Sequence, residues 1–226
     1  LVIDGSTTTL NANITVTGYG QGGGTLTGPG NLTIQTAANW SGGTMSGTGR
    51  TILGPTASMV FDIQARTLSR VLENQGTITW TVGALQLNSG QLLNTGIFIT
   101  STTGLLQAFG TGGTNNRFTN QGVFRKLGSG TTQFTTSTNG VAFDNASTGT
   151  VEIQAGELQL LAGGTHTGSF NLGAKHSFEK FNLDYEAAYA EAIQDTPYDV
   201  EIGSVTEVDE ISTDFESNKE FPSFTV

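Results

Sequence analysis

The chain has no cysteine. No disulfide and no thiolate metal site is therefore possible. That absence is compatible with any compartment and leans toward an extracellular one. Proline numbers only 4, which excludes a polyproline linker and collagen. Charged residues make up only 12% of 226. No apolar run approaches the eighteen or so residues of a membrane-spanning helix. The start, LVIDGSTTTL, lacks a methionine, a basic region and an apolar core of the signal-peptide kind. It reads as an excised fragment or a processed product.

What is present is glycine and threonine. There are 32 glycines and 37 threonines, 33 of the threonines before residue 173. Glycine favours tight turns and threonine favours pleated, half-exposed backbone. Charge divides the chain at the same line. Residues 1–172 carry six acids and six bases, a net of zero; residues 173–226 carry thirteen acids and three lysines, a net of −10. We read 1–172 as a repeat domain and 173–226 as an acidic cap or docking segment. A neutral domain with an acidic tail repels phosphate, which disfavours nucleic acid as a partner.

The first part is built of period-two strands. In GTITWTVG, Ile78, Trp80 and Val82 are expected to point inward and Thr77, Thr79 and Thr81 outward. The same alternation places Leu32 with Ile34, and Met59 with Phe61 and Ile63. It also pairs Leu85 with Leu87, Val151 with Ile153, and Leu158 with Leu160. The phrase GGGTLTGPGNLTI at 22–34 returns as SGGTMSGTGRTIL at 41–53 without a gap. Gly23, Gly24, Thr25, Gly28 and Gly30 become Gly42, Gly43, Thr44, Gly47 and Gly49. Asn-x-Gly corners recur at Asn74, Asn94 and Asn120, with a looser version in FDNASTGTVEI. There asparagine and glycine are expected to supply a left-handed backbone. Short strands and corners at a period near twenty predict a solenoid of about seven to nine coils, roughly 35–45 Å long at ~4.8 Å per coil. A β-sandwich also uses many short strands, but it does not call for repetition at nineteen residues.

The phrases NWSGGTMSGTGRTIL, RVLENQGTITW, FTNQGVFRKLGSGTTQF and GVAFDNASTGTVEIQAGELQLLAGGTHTGSF resemble a repeat region of large bacterial surface and secreted proteins. The resemblance covers about residues 22–172. It implies a right-handed parallel β-helix in a long, adhesin-like extracellular chain, and it carries no catalytic motif. The tail, 173–226, resembles no such region.

Candidate chemistry is sparse. Parallel β-helices include polysaccharide lyases and glycoside hydrolases, whose chemistry needs clustered carboxylates or a carboxylate with a basic partner. The nearest groupings are Asp62 with Arg66 and Arg70, and Glu152 with Glu157; both are read as surface charge. His166, in GGTHTGS, is read as an exposed loop histidine. His176 follows without a third ligand, so zinc is not expected. The calcium nonapeptide lacks its aspartate, and no Gly-Lys-Ser/Thr follows the glycine loops. We expect no cofactor and no catalytic residue. Thr77, Thr79 and Thr81 keep a Thr-x-Thr register, as do Thr15 and Thr17, but the intervening coils do not, so the threonines are read as strand formers rather than a binding array. Trp40, in AANWSGG, is expected at an exposed turn and is the one candidate carbohydrate contact.

In the tail, Leu183, Ala187, Ala190 and Ile193 fall at helical spacing, with Asn182 as a cap and Pro197 beyond the end. A helix is expected over 183–194. YDVEIGSVTEVDEI follows as a possible edge strand. The expected whole is an all-β parallel β-helix serving as a non-enzymatic extracellular structural or adhesive module. Its expected partners are surface glycans or another copy of itself. The alternatives are a carbohydrate-active enzyme on the same fold and a self-assembling filament subunit.

Overall fold

The protein is described by a computed structural model. The structure describes residues 1–62, 65–136, 139–177, 182–189, 200–203, 212–214 and 223–225. Through residue 172 the described residues form a parallel β-solenoid of about eight turns. The expected solenoid is thus the observed one.

Each coil visits three faces. The first face stacks Arg50–Leu53, Val71–Asn74, Gln91–Asn94, Arg117–Asn120 and Ala142–Asn145. The second stacks Ser58–Phe61, Thr77–Trp80, Ile97–Thr100, Val123–Lys126, Thr150–Ile153 and Ser169–Ser177. The long strands Ile14–Gln21 and Leu32–Trp40 bend across both of these faces near the start. The third face runs Thr7–Thr9, Thr25–Thr27, Gly43–Met45, Arg66–Leu68, Leu85–Asn88, Leu105–Gly112, Thr131–Phe134 and Glu157–Leu160.

The written repeat is the coil itself. Leu26 pairs with Met45 and Ile34 with Leu53, both at an offset of nineteen. Gly47 stands over Gly28, both in the left-handed region at φ 86° and 106°, so the two phrases make the same corner twice. The Asn-x-Gly corners are coils too: Asn74 pairs with Asn94, Asn94 with Asn120 and Asn120 with Asn145. Their chemistry differs from the expectation. Gly76, Gly96 and Gly122 do not lie in the left-handed region. Glycine is needed there because the coils touch: a Cβ on Gly96 would sit 2.2 Å from the carbonyl oxygen of Gly76.

The interior is apolar and aromatic. Leu32, Ile34, Met59, Phe61, Ile78, Trp80, Leu85, Leu87, Val151, Ile153, Leu158 and Leu160 are all buried, as the alternation predicts. Ile63 lies outside the described residues. Phe98, Phe118, Phe124, Phe134 and Phe143 pack ring on ring, with Phe118 parallel to Phe143 at 5.1 Å. Val82 does not join them. Its strand ends at Trp80, Gly83 turns the chain at φ 79°, and Val82 is left 46% exposed.

Beyond the last full coil the chain reverses. Ser169–Ser177 runs through Gly173 and pairs antiparallel with Asn182–Tyr189, Phe170 opposite Tyr189. The helix expected over 183–194 is therefore a strand where it is described; residues 190–194 lie outside the described residues. A twelve-residue stretch gains little as an isolated helix. The unpaired edge of the last coil offers it backbone partners, and Tyr185 and Tyr189 suit a strand. The expected edge strand is present as Val200–Gly203, antiparallel to Glu157–Leu160.

Candidate functional site

A solenoid corner leaves carbonyls without ladder partners, and buried carbonyls must find donors. The buried polar side chains of this protein meet that need. At the corner between the first and second faces, Asn74, Asn94 and Asn120 form an internal ladder. Each donates from Nδ2 to the Oδ1 of the next asparagine, ending on Asn145, at 2.7, 2.7 and 2.8 Å. The same amides donate to the carbonyls of Ile97, Val123 and Thr150. Asn145 closes the run on the carbonyl of Ser169.

The corner between the second and third faces uses other donors. Arg66 gives Nε to the Trp40 carbonyl and Nη2 to the Asp62 carbonyl, with its guanidinium 4.9 Å from the centre of the Phe61 ring. The Trp80 indole donates to the carbonyls of Val82 and Gly83. Lys126 gives Nζ to those of Gly128 and Ala155. At the remaining corner Arg70 donates to the carbonyls of Gly49 and Gly30. Burial pushes Arg66 down to about 10, against a small upward pull from Asp62. Burial also lowers Arg70 and Lys126. The hydrogen bonds that these three side chains donate end on backbone carbonyls.

This placement takes apart the first expected grouping. Arg66 and Arg70 are interior, not surface charges. Asp62 meets Asn39 through its carboxylate and Arg66 through its carbonyl. The second grouping separates onto two faces. Glu152 pairs with Arg125 on the second face at 2.5 Å, while Glu157 meets Thr131 and Gln159 on the third. Arg50–Glu73 and Arg117–Asp144 are further ion pairs, both on the first face. Among the described residues no three His, Asp or Glu side chains gather as metal ligands.

Trp40 overturns its expectation most plainly. It is fully buried, edge-on to Phe61 at 5.5 Å, so it has no ring face to offer a sugar. It follows Asn39 at the end of Leu32–Trp40, and the alternation of that strand turns it inward. His166 is also no exposed loop residue. Its ring packs against Phe143 and Phe170, and its Nδ1 is buried without a partner. Burial lowers its pKa, opposed by Asp144. His176 lies in Ser169–Ser177.

The outward surface holds what the sequence reading missed. On the third face Thr7, Thr25, Thr44 and Thr67 stand in one register column, with Thr9 beside Thr27. Thr67 then donates to Gln86. Further along, Gln107, Gln133 and Gln159 form an external amide ladder at 2.8 and 2.7 Å. The threonine offsets are 18, 19 and 23 residues, uneven because the third coil carries a longer corner. A search at one fixed period passes over them. The column on the second face is mixed, as expected: Ser58, Thr77, Ile97, Val123 and Thr150.

Compared with known proteins, the chain matches no family model, no curated protein and no solved structure.

Proposed function

We propose that the chain is a non-enzymatic structural module of a bacterial surface protein. In this reading it is an extracellular β-solenoid that presents a regular neutral surface of hydroxyls and amides to glycans. The observation that supports it most is where the carboxylates stand. Glu73 and Asp144 share one outward column of the first face, but they are three coils apart. At ~4.8 Å per coil that is about 14 Å. Paired carboxylates that cleave a glycosidic bond stand roughly 5–9.5 Å apart. Each of these two is also held by an arginine. The third face adds the display surface, with its threonine column and glutamine ladder repeating at the spacing of the coils.

The test has two arms. Purified protein is incubated with neutral and acidic polysaccharides and chain length is followed; no shortening is expected. Reproducible shortening that disappears in Asp62→Ala would overturn the non-enzymatic reading. A neutral-glycan array then compares the wild type with Thr25→Val and Thr44→Val together. Loss of a bound signal in the double variant is expected. A signal left unchanged would remove the third face from the proposal.

A further inference from the structure

The last coil closes through a short turn whose centre is His166. On the first face, Ala142–Asn145 is the final strand, and the turn at 163–168 covers its open edge. Phe143 N–H donates to the Gly163 carbonyl and Asn145 N–H to that of Thr165, at 3.0 and 2.8 Å. Thr167 and Gly168 N–H return to the Asn145 carbonyl. The carboxylate of Asp144 grips the turn as well, taking the Thr165 N–H at 2.9 Å and the Thr165 hydroxyl at 3.0 Å. Between these holds the His166 ring lies 6.3 Å from Phe143 and 5.5 Å from Phe170, edge-on to the latter.

We infer that His166 is an acid-sensitive latch: its neutral ring holds the 163–168 turn over the end of the solenoid, and protonation releases the turn and bares the Ala142–Asn145 edge. A neutral imidazole fits between aromatic rings. An imidazolium there needs an acceptor for each N–H, and Nδ1 is buried with none. The charged groups around it are already engaged. Asp144 gives its oxygens to Thr165 and Arg117, and Glu152, on the strand that pairs with Ser169–Ser177, is bound to Arg125. Burial lowers the pKa of the histidine, with Asp144 pulling the other way.

The sign follows from that direction. A histidine whose folded pKa lies below its unfolded value of ~6.5 leaves the closed turn at full strength above that pH. The closed turn weakens as pH falls below ~6.5, down to the folded pKa. The bared strand is parallel-pairing and short, and an unpaired edge of that kind recruits another chain.

Amide hydrogen exchange of the whole chain, corrected for intrinsic rates, tests this at about pH 7.5 and about pH 5, on either side of the ordinary histidine range. In the wild type the protection of Phe143 and Asn145 is expected to drop several-fold at the lower pH, while that of Leu92 and Phe118 holds. In His166→Phe, and in His166→Gln as a smaller second variant, the pH dependence at Phe143 and Asn145 is expected to vanish. Equal pH dependence in wild type and in either folded variant would overturn the latch, as would unchanged protection in the wild type.

Discussion

Between the first coils the chain returns to the first and third faces after 18 or 19 residues, and Ile34 and Leu53 fill the corner into the second face. From Asn74 onward the return takes 20, 26 and 25 residues, and the same interior position is asparagine four times over. Leu53 pairs directly with Asn74, so the change happens between two neighbouring coils. The early coils keep their corners tight with glycine and let backbone meet backbone, as Gly47 does over Gly28. The later coils tie theirs with side-chain amides and fill the widened interior with phenylalanine rings. One fold thus holds its corners in two ways, and the two should fail differently.

The largest expected effect is on the rings of the later coils. Phe118 touches Phe98, Phe124, Phe134 and Phe143, which span three successive coils. Phe118→Ala removes a fully buried ring whose neighbours are themselves held by one another, so the site collapses poorly. The cost is expected to be about 3–5 kcal/mol in denaturant unfolding. A loss below ~1 kcal/mol would mean that the ring column is not what stabilises these coils.

The ladder gives the sharper contrast. Asn94→Leu puts into the later coils the residue that the early coils carry. It leaves the Asn74 amide without its acceptor, the Asn120 Oδ1 without its donor and the Val123 carbonyl without its amide. At ~1–3 kcal/mol for a buried group left unpaired, partly relaxed, about 2–4 kcal/mol is expected. The reverse exchange is informative because the ladder has a direction. Asn74 Oδ1 is buried and has no partner. An asparagine at Leu53 can donate to it, whereas one at Ile34 meets only Leu53. Leu53→Asn should therefore cost less than Ile34→Asn by about 1–3 kcal/mol. Equal costs would show that the ladder is a by-product of packing rather than a tie between coils.

These contrasts also mark what the sequence disclosed. Alternation of apolar and polar residues placed the core strands, because burial on one side of a strand writes a period of two. Recurring glycine and Asn-x-Gly corners placed the coils, because runs of stacked corners meet the same steric and hydrogen-bonding demand. The interior cations were illegible for the converse reason. Arg66 and Arg70 look like surface charges in a chain so poor in them, and only the corner carbonyls explain their burial. Trp40 was misplaced because a following Ser-Gly-Gly reads as a turn, while the parity of Leu32, Ile34 and Ala38 already turned it inward. The helix over 183–194 failed because spacing reports an amphipathic face and does not report an open sheet edge nearby. The threonine column escaped because corner insertions break its period while leaving its register intact.

The smallest effect expected separates the two regions at their surface. Arg50 of an early coil reaches Glu73 of the first later coil at 2.9 Å, and Arg50 is half exposed. Glu73 also accepts from Gln75, so a neutral glutamine keeps a hydrogen-bonding partner. Water and salt screen such a pair, and ordering two long side chains offsets part of the attraction. Glu73→Gln should cost only about 0.2–1 kcal/mol, and less as salt is raised toward ~1 M. Asp144→Asn is the comparison, because Asp144 is buried beside Arg117 and holds both the N–H and the hydroxyl of Thr165. Its loss should be larger and less sensitive to salt, because Arg117 is half exposed like Arg50 but Asp144 also gives up buried hydrogen bonds to Thr165, which salt does not screen. If Glu73→Gln proved as costly as Asp144→Asn, and equally indifferent to salt, the seam between early and later coils would be held by charge as well as by stacking.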